Sequence, residues 1–148
     1  MDIKSRLTDA MRHAMRANDD VSRRTTRMAL AAIKQNEVDK QSAVDDAAVI
    51  ALLQKEIKNR REAIEEARKA NRPDLIGENE AEIRVLETFL PEPMSMNELR
   101  QLAMAAIAET GAAAPADMGK VMKALMPKVT GRAAGDQVSA VVKELLAK

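Results

Sequence analysis

The sequence predicts an all-α protein in two parts: a helical amino-terminal domain of about four helices over residues 1–92, then a small three-helix domain over 93–148. Three observations carry that expectation. The chain is 46% hydrophobic but has no Trp or Tyr and a single Phe, so its core must come from Ala, Leu, Ile, Val and ten Met. It is also rich in Glu, Lys, Arg and Gln, which with Ala, Leu and Met are the strong helix formers, whereas strands draw on β-branched and aromatic residues. Apolar residues recur at spacings of three and four, the period of a helix with one buried face.

The first helix carries Ile3, Leu7, Ala10, Met11 and Ala14 on one side and Arg12 and Arg16 on the other. It should end at Asn18-Asp19-Asp20, whose short polar side chains favour a turn and a new N-cap. A second helix is expected from about Val21 to Asp39 on the apolar residues Met28, Leu30, Ala32 and Ile33. After the polar stretch from Lys40 to Asp46, a long third helix follows the seam Val49, Leu53, Ile57, Ile64 and Ala67, and Asn71-Arg72-Pro73 closes it. The fourth, on Ile76, Ile83, Leu86, Phe89 and Leu90, is expected to stop at Pro91.

Pro91 and Pro93 mark a linker. Beyond it, Ser95-Met96-Asn97-Glu98 has the spacing of a capping box. The fifth helix uses Leu99, Leu102, Ala103, Ala106 and Ile107, with Gly111 placed as a left-handed C-terminal cap. The sixth uses Met118, Val121, Met122, Leu125 and Met126 and is expected to end at Pro127. The seventh, after Gly135-Asp136, uses Val138, Val141, Val142, Leu145 and Leu146.

Composition removes several chemistries. Without cysteine there is no disulfide, thiolate nucleophile or Cys-ligated metal, and with one histidine, His13, there is no His-based metal cluster. No catalytic residue, metal ligand or cofactor is expected. The serines lie outside any nucleophile elbow, and no glycine-rich phosphate loop is present. The carboxylates Glu62, Glu65, Glu66, Glu78, Glu80 and Glu82 read as a solvated helix face, because nothing around them is apolar enough for general-acid work. The start of the chain reads as an amphipathic helix and not a secretory signal, and no uncharged run reaches the ~18 residues of a membrane span, so a cytoplasmic protein without membrane contact is expected.

The net charge is only +1, yet it is distributed unevenly: about +4 over residues 1–34, −5 over 35–92 and +2 over 93–148. Lys120 and Lys123 should project opposite the apolar stripe of the sixth helix, with Lys128 and Arg132 flanking the turn that follows. These four cations, opposed only by Asp117, are the candidate nucleic-acid-binding residues, acting as phosphate ligands. A second basic group, Arg12, Arg16, Arg23, Arg24 and Arg27, suits phosphate as well as it suits the acidic third and fourth helices. No aromatic residue interleaves either group, which argues against base stacking. Met118, Met122 and Met126, with Met96 and Met104, read as an adaptable core, with a partner surface as the lesser alternative.

The segment Asp117-Met118-Gly119-Lys120-Val121-Met122-Lys123-Ala124-Leu125-Met126-Pro127-Lys128, with Gly131-Arg132-Ala133 and Val141-Val142-Lys143-Glu144-Leu145-Leu146, resembles the GatB/YqeY family. The likeness continues upstream through Ala32 to Asp39, Lys58-Asn59-Arg60-Arg61, Asn71 to Leu75, Glu82-Ile83 and Leu90-Pro91. Two departures stand out: Ala63 and Ala67 where the family often has a serine and an aromatic residue, and Ala134 where it commonly has an aspartate that would cap the last helix. The resemblance implies an all-helical protein similar to the tail of the B subunit of the tRNA-dependent amidotransferase, a carbon-nitrogen ligase with glutamine as amido donor. That tail contacts tRNA and is itself non-catalytic. The implied function is therefore a non-catalytic module that binds tRNA or another structured RNA. The alternatives are an accessory subunit of an amide-forming ligase, with amidotransferase or aminoacylation components as partners, and a protein-interaction adaptor.

Overall fold

The computed structural model describes residues 1–147. Among these there are seven α-helices, one 3-10 turn at Pro115–Asp117, and no strand: α1 Ile3–Arg16, α2 Asp20–Lys40, α3 Asp46–Lys69, α4 Pro73–Glu87, α5 Met96–Thr110, α6 Met118–Val129 and α7 Gly135–Leu146. The chain divides into two compact units, Met1–Leu90 and the residues from Pro91 onward.

In the first unit α1 packs on α2, α3 packs on α4, and α2 also touches α3 and α4. Three of its helices, α1, α2 and α3, start where an aspartate side chain satisfies an exposed amide. Asp2, Asp19 and Asp45 accept hydrogen bonds from the backbone N–H of Ser5 (2.7 Å), Ser22 (3.1 Å) and Ala48 (2.9 Å). Asn18, Gln41 and Asn71 take the left-handed conformation in the three connections, a geometry that asparagine tolerates better than most residues. Pro73 begins α4, where its missing N–H removes no helical bond. The core is Leu7, Ile33, Leu53 and Leu86, each fully buried, with Ile3, Val49, Ile57, Ile64, Ile83 and Phe89 around them. Lys4 Nζ reaches Glu37 Oε1 at 2.7 Å, and Ile3 N–H donates to Asp46 Oδ1 at 3.0 Å, tying α1 to α2 and α3.

The second unit packs α5, α6 and α7 against one another around Leu99, Val121, Leu125, Val129, Val138 and Val142, while Ala103 and Ala106 let the helices approach closely. Gly111 takes the left-handed cap, φ +69°, at the end of α5. Ala134 starts α7 with no side-chain cap. Met118, Met122 and Met126 lie half-buried against this core, but Met96 and Met104 stand exposed.

Several boundaries differ from the sequence reading. α4 ends at Glu87 and a turn through Thr88 to Leu90 precedes Pro91. α6 runs through Pro127 to Val129: the proline lies in the last turn on the exposed side, where the carbonyl it leaves without a donor belongs to exposed Lys123 and meets solvent. Only half of the capping box forms. Glu98 N–H donates to Ser95 Oγ at 3.1 Å, but the Glu98 carboxylate is taken by Arg132.

Candidate nucleic-acid interface

The four candidate cations divide into two pairs. On α6, Val121, Leu125 and Val129 are buried, and the helical period of 100° per residue puts Lys120 and Lys123 on the opposite, exposed face. Neither lysine has a hydrogen bond or ion pair among the described residues. Their acidic neighbour, Asp117, is occupied: its Oδ2 accepts from the N–H of Ala113 (3.0 Å) and Ala114 (3.2 Å), stapling the 3-10 turn before α6. Those two bonds, with the Lys120 charge as a smaller contribution, hold the Asp117 carboxyl below the usual carboxylate range. Gly119, between the carboxylate and the lysines, faces open space, so packing does not require a glycine there.

Lys128 and Arg132 are engaged within the unit. Lys128 Nζ pairs with Glu109 Oε2 at 3.4 Å, near the end of α5. Arg132 Nη2 pairs with Glu98 Oε2 at 3.2 Å at the start of α5, and its Nε donates to the Glu92 carbonyl at 3.0 Å. The Met94 N–H donates in turn to the Arg132 carbonyl at 2.8 Å. Arg132 therefore straps residues 92–94 onto the turn after α6. Eleven residues separate the two acidic partners along α5, about 16 Å of helix rise. The four cations accordingly do not form one compact cluster.

The second basic group is also divided. Arg24 reaches α4, with Nη2 on Glu78 Oε1 and Nε on Glu82 Oε1, both at 3.0 Å. Arg23 pairs with Asp20 at 3.0 Å and Arg12 with Asp9 at 3.9 Å, both within their own helices, whereas Arg16 and Arg27 are exposed without a partner among the described residues.

Glu82 corrects the reading of the acidic face. It is buried, and its Oε2 accepts from the Nε of buried Arg60 at 2.8 Å. Arg60 Nη1 donates to both the Glu56 carbonyl (3.1 Å) and Glu56 Oε2 (2.8 Å), so a chain of charges Arg24–Glu82–Arg60–Glu56 pins α2, α3 and α4 together. Both buried residues occupy vacancies in apolar seams. Arg60 fills the gap of seven between Ile57 and Ile64, and Glu82 stands seven after Leu75 and four before Leu86.

His13, Asp19 and Ser22 line one pocket of about 200 Å³ with Ala10, Ala14, Val85, Thr88 and Phe89. They are not a nucleophilic relay. Ser22 Oγ donates to Asp19 Oδ2 at 2.7 Å and Asp19 Oδ1 accepts from Ser22 N–H, which is a helix cap. The serine hydroxyl, followed by the backbone bond, lowers the Asp19 pKa, and no hydrogen bond joins His13 to either group among the described residues. No three carboxylates or imidazoles among the described residues converge to hold a metal, and no helix among them is long and apolar enough to cross a membrane.

A family model described as Yqey-like protein matches residues 4–146. The chain belongs to the YqeY-like family. Among curated relatives, a protein of Vanderwaltozyma polyspora named altered inheritance of mitochondria protein 41, mitochondrial, is 35% identical over 81 residues, 54% of this chain and 44% of that protein. The protein of the same name from Lachancea thermotolerans is 36% identical over 91 residues, 61% of this chain and 49% of its own length. A third, from Pyrenophora tritici-repentis, is 29% identical over 147 residues, 95% of this chain and 79% of its own. The match thus spans about half the length of the first two of these relatives. Their names overturn the expectation of a cytoplasmic protein. That expectation was drawn from the amphipathic first helix and from the absence of a long uncharged apolar run, and neither feature chooses a compartment.

Proposed function

We propose that this chain is a non-catalytic module that binds structured RNA, foremost tRNA, through phosphate contacts. The observation that carries the reading is the outward face of α6, where Lys120 and Lys123 stand exposed, without a partner among the described residues and one turn apart, beside a carboxylate that is already committed to backbone amides. A phosphate meeting these two lysines displaces no internal contact. Lys128, whose solvent-exposed pair with Glu109 is worth little, joins when the phosphate backbone approaches. Arg132 positions the neighbouring turn and contributes at the edge of the surface. The likeness to the tail of the amidotransferase B subunit supports tRNA as the RNA and makes amidotransferase or aminoacylation components the associated proteins. With no aromatic side chain on this face, recognition runs through shape and phosphates without reading bases.

The double substitution Lys120→Glu with Lys123→Glu tests the reading. Binding to total tRNA should weaken more than tenfold with helicity unchanged, and an unaltered affinity refutes it. A second reading, a protein-interaction adaptor, is favoured by one observation: an apolar groove of about 420 Å³ lined by Met104, Ile107, Ala108, Gly111, Ala112 and Leu145. A partner held there would bind with little dependence on salt, unlike RNA.

A further inference from the structure

The charge chain that joins α2, α3 and α4 ends in a donor whose partner is a sulfur atom. Arg60 is buried, and its Nε and Nη1 are satisfied by Glu82 and Glu56. Nη2 has no oxygen acceptor among the described residues, and its neighbour is the thioether of Met28 on α2, with the sulfur 3.9 Å away. A thioether is a weak acceptor, so a buried cation with one arm on sulfur is under-satisfied. The residue that supplies this sulfur is nevertheless 48% exposed, open to reagents from solvent.

We propose that Met28 is a site of oxidation to the sulfoxide, and that its sulfoxide oxygen is received by Arg60. The oxidant is a peroxide. The sulfur attacks the protonated oxygen of the peroxide, an S–O bond forms as the O–O bond breaks, the transferred oxygen passes its proton to the leaving oxygen, which departs as water or an alcohol, and the sulfur loses the two electrons that the peroxide gains. The new oxygen is a strong acceptor. On the side of the sulfur that faces Nη2 it closes the gap to hydrogen-bonding range and completes the guanidinium's set of partners with a charge-assisted bond. Sulfoxide formation usually loosens a methionine contact by making it polar. Here the polarity is matched in advance, so oxidation tightens the junction of α2 with α3. Only one of the two sulfoxide epimers directs its oxygen at Arg60, which makes the product stereochemically distinct.

The test compares the full chain with its Met28→Leu variant, each treated with hydrogen peroxide until Met15, Met96 and Met104 are converted. Those three are 51%, 46% and 58% exposed and serve as matched controls. Peptide mass spectrometry reads the conversion, and far-UV circular dichroism reads the melting temperature before and after. Met28 should be converted with the controls. Oxidation should change the melting temperature of the natural protein about 2–4 °C more favourably than that of Met28→Leu, which carries the same sulfoxides elsewhere. Met28→Gln, whose amide oxygen can reach Nη2, should melt above Met28→Leu without any peroxide. The proposal is overturned if Met28 stays reduced while the controls are oxidised, if the two proteins respond to oxidation alike, or if Met28→Gln melts no higher than Met28→Leu.

Discussion

Replacing Arg60 by methionine removes the cation at the centre of the first unit while keeping an unbranched side chain of similar reach. The Arg60 side chain is 7% exposed and that of its partner Glu82 is 11% exposed, so the substitution leaves a carboxylate with little access to water. Breaking a buried pair from one side costs about 3–5 kcal/mol. Glu82 keeps a second partner, Arg24 at 3.0 Å, but the Arg24 side chain is 42% exposed and its pull is weakened by solvent. The loss should therefore fall at the low end, about 3 kcal/mol, or roughly a hundredfold in the folding equilibrium. The assay is urea unfolding followed by circular dichroism, since a chain without Trp or Tyr gives little intrinsic fluorescence. Amide hydrogen exchange then locates the loss in α2, α3 and α4. The midpoint should fall by about 1–3 M urea. Arg60→Met combined with Glu82→Met should recover at least half of that loss, because an apolar replacement of both partners is often neutral. A single-variant loss below about 1 kcal/mol, or a double variant no better than the single, would refute the account of this network.

Two further outcomes are expected. Asp19, Glu37 and Asp117 have their carboxyls held below their usual pKa by the Ser22 hydroxyl, by Lys4, and by the amides of Ala113 and Ala114 respectively. Protons then bind the unfolded chain more readily than the folded one, so stability should be level from neutral pH to about pH 5 and decline as the pH falls further, with Asp117→Asn reducing the decline in urea titrations. Arg132→Ala removes the strap on Glu92 and Glu98, so limited proteolysis should cut faster at residues 91–95, and an unchanged cutting rate would contradict the strap.

Much of the fold was legible in the sequence because its signals are local. Asp19 and Ser95 start helices, Gly111 ends one, the stretch Asn71-Arg72-Pro73 follows the end of another, and the apolar seams have the helical period. Where the reading failed, a distant partner decided the outcome. Glu82 was read as solvated because nothing around it in the sequence is apolar enough for general-acid work; it is buried because Arg60, 22 residues away, and Arg24, 58 away, meet it. The vacancies in the two seams were a usable clue: opposite charges at two core positions imply each other. At the candidate interface, helical spacing was enough to place Lys120 and Lys123 outward. It was blind to Lys128 and Arg132, whose partners Glu109 and Glu98 lie 19 and 34 residues away on α5. Pro127 misled because a proline in the last turn removes a single bond and does not break the helix.

The most direct test of RNA binding through the α6 face is the salt dependence of tRNA affinity, measured for the natural chain and for Lys120→Glu with Lys123→Glu, beside matched double-stranded DNA. Two to four phosphate contacts give a log-log slope of about −2 to −4, and losing two of them should make the slope shallower by about 2 while tRNA remains preferred over DNA. A slope that the substitutions leave unchanged, or no binding at low salt, would contradict it.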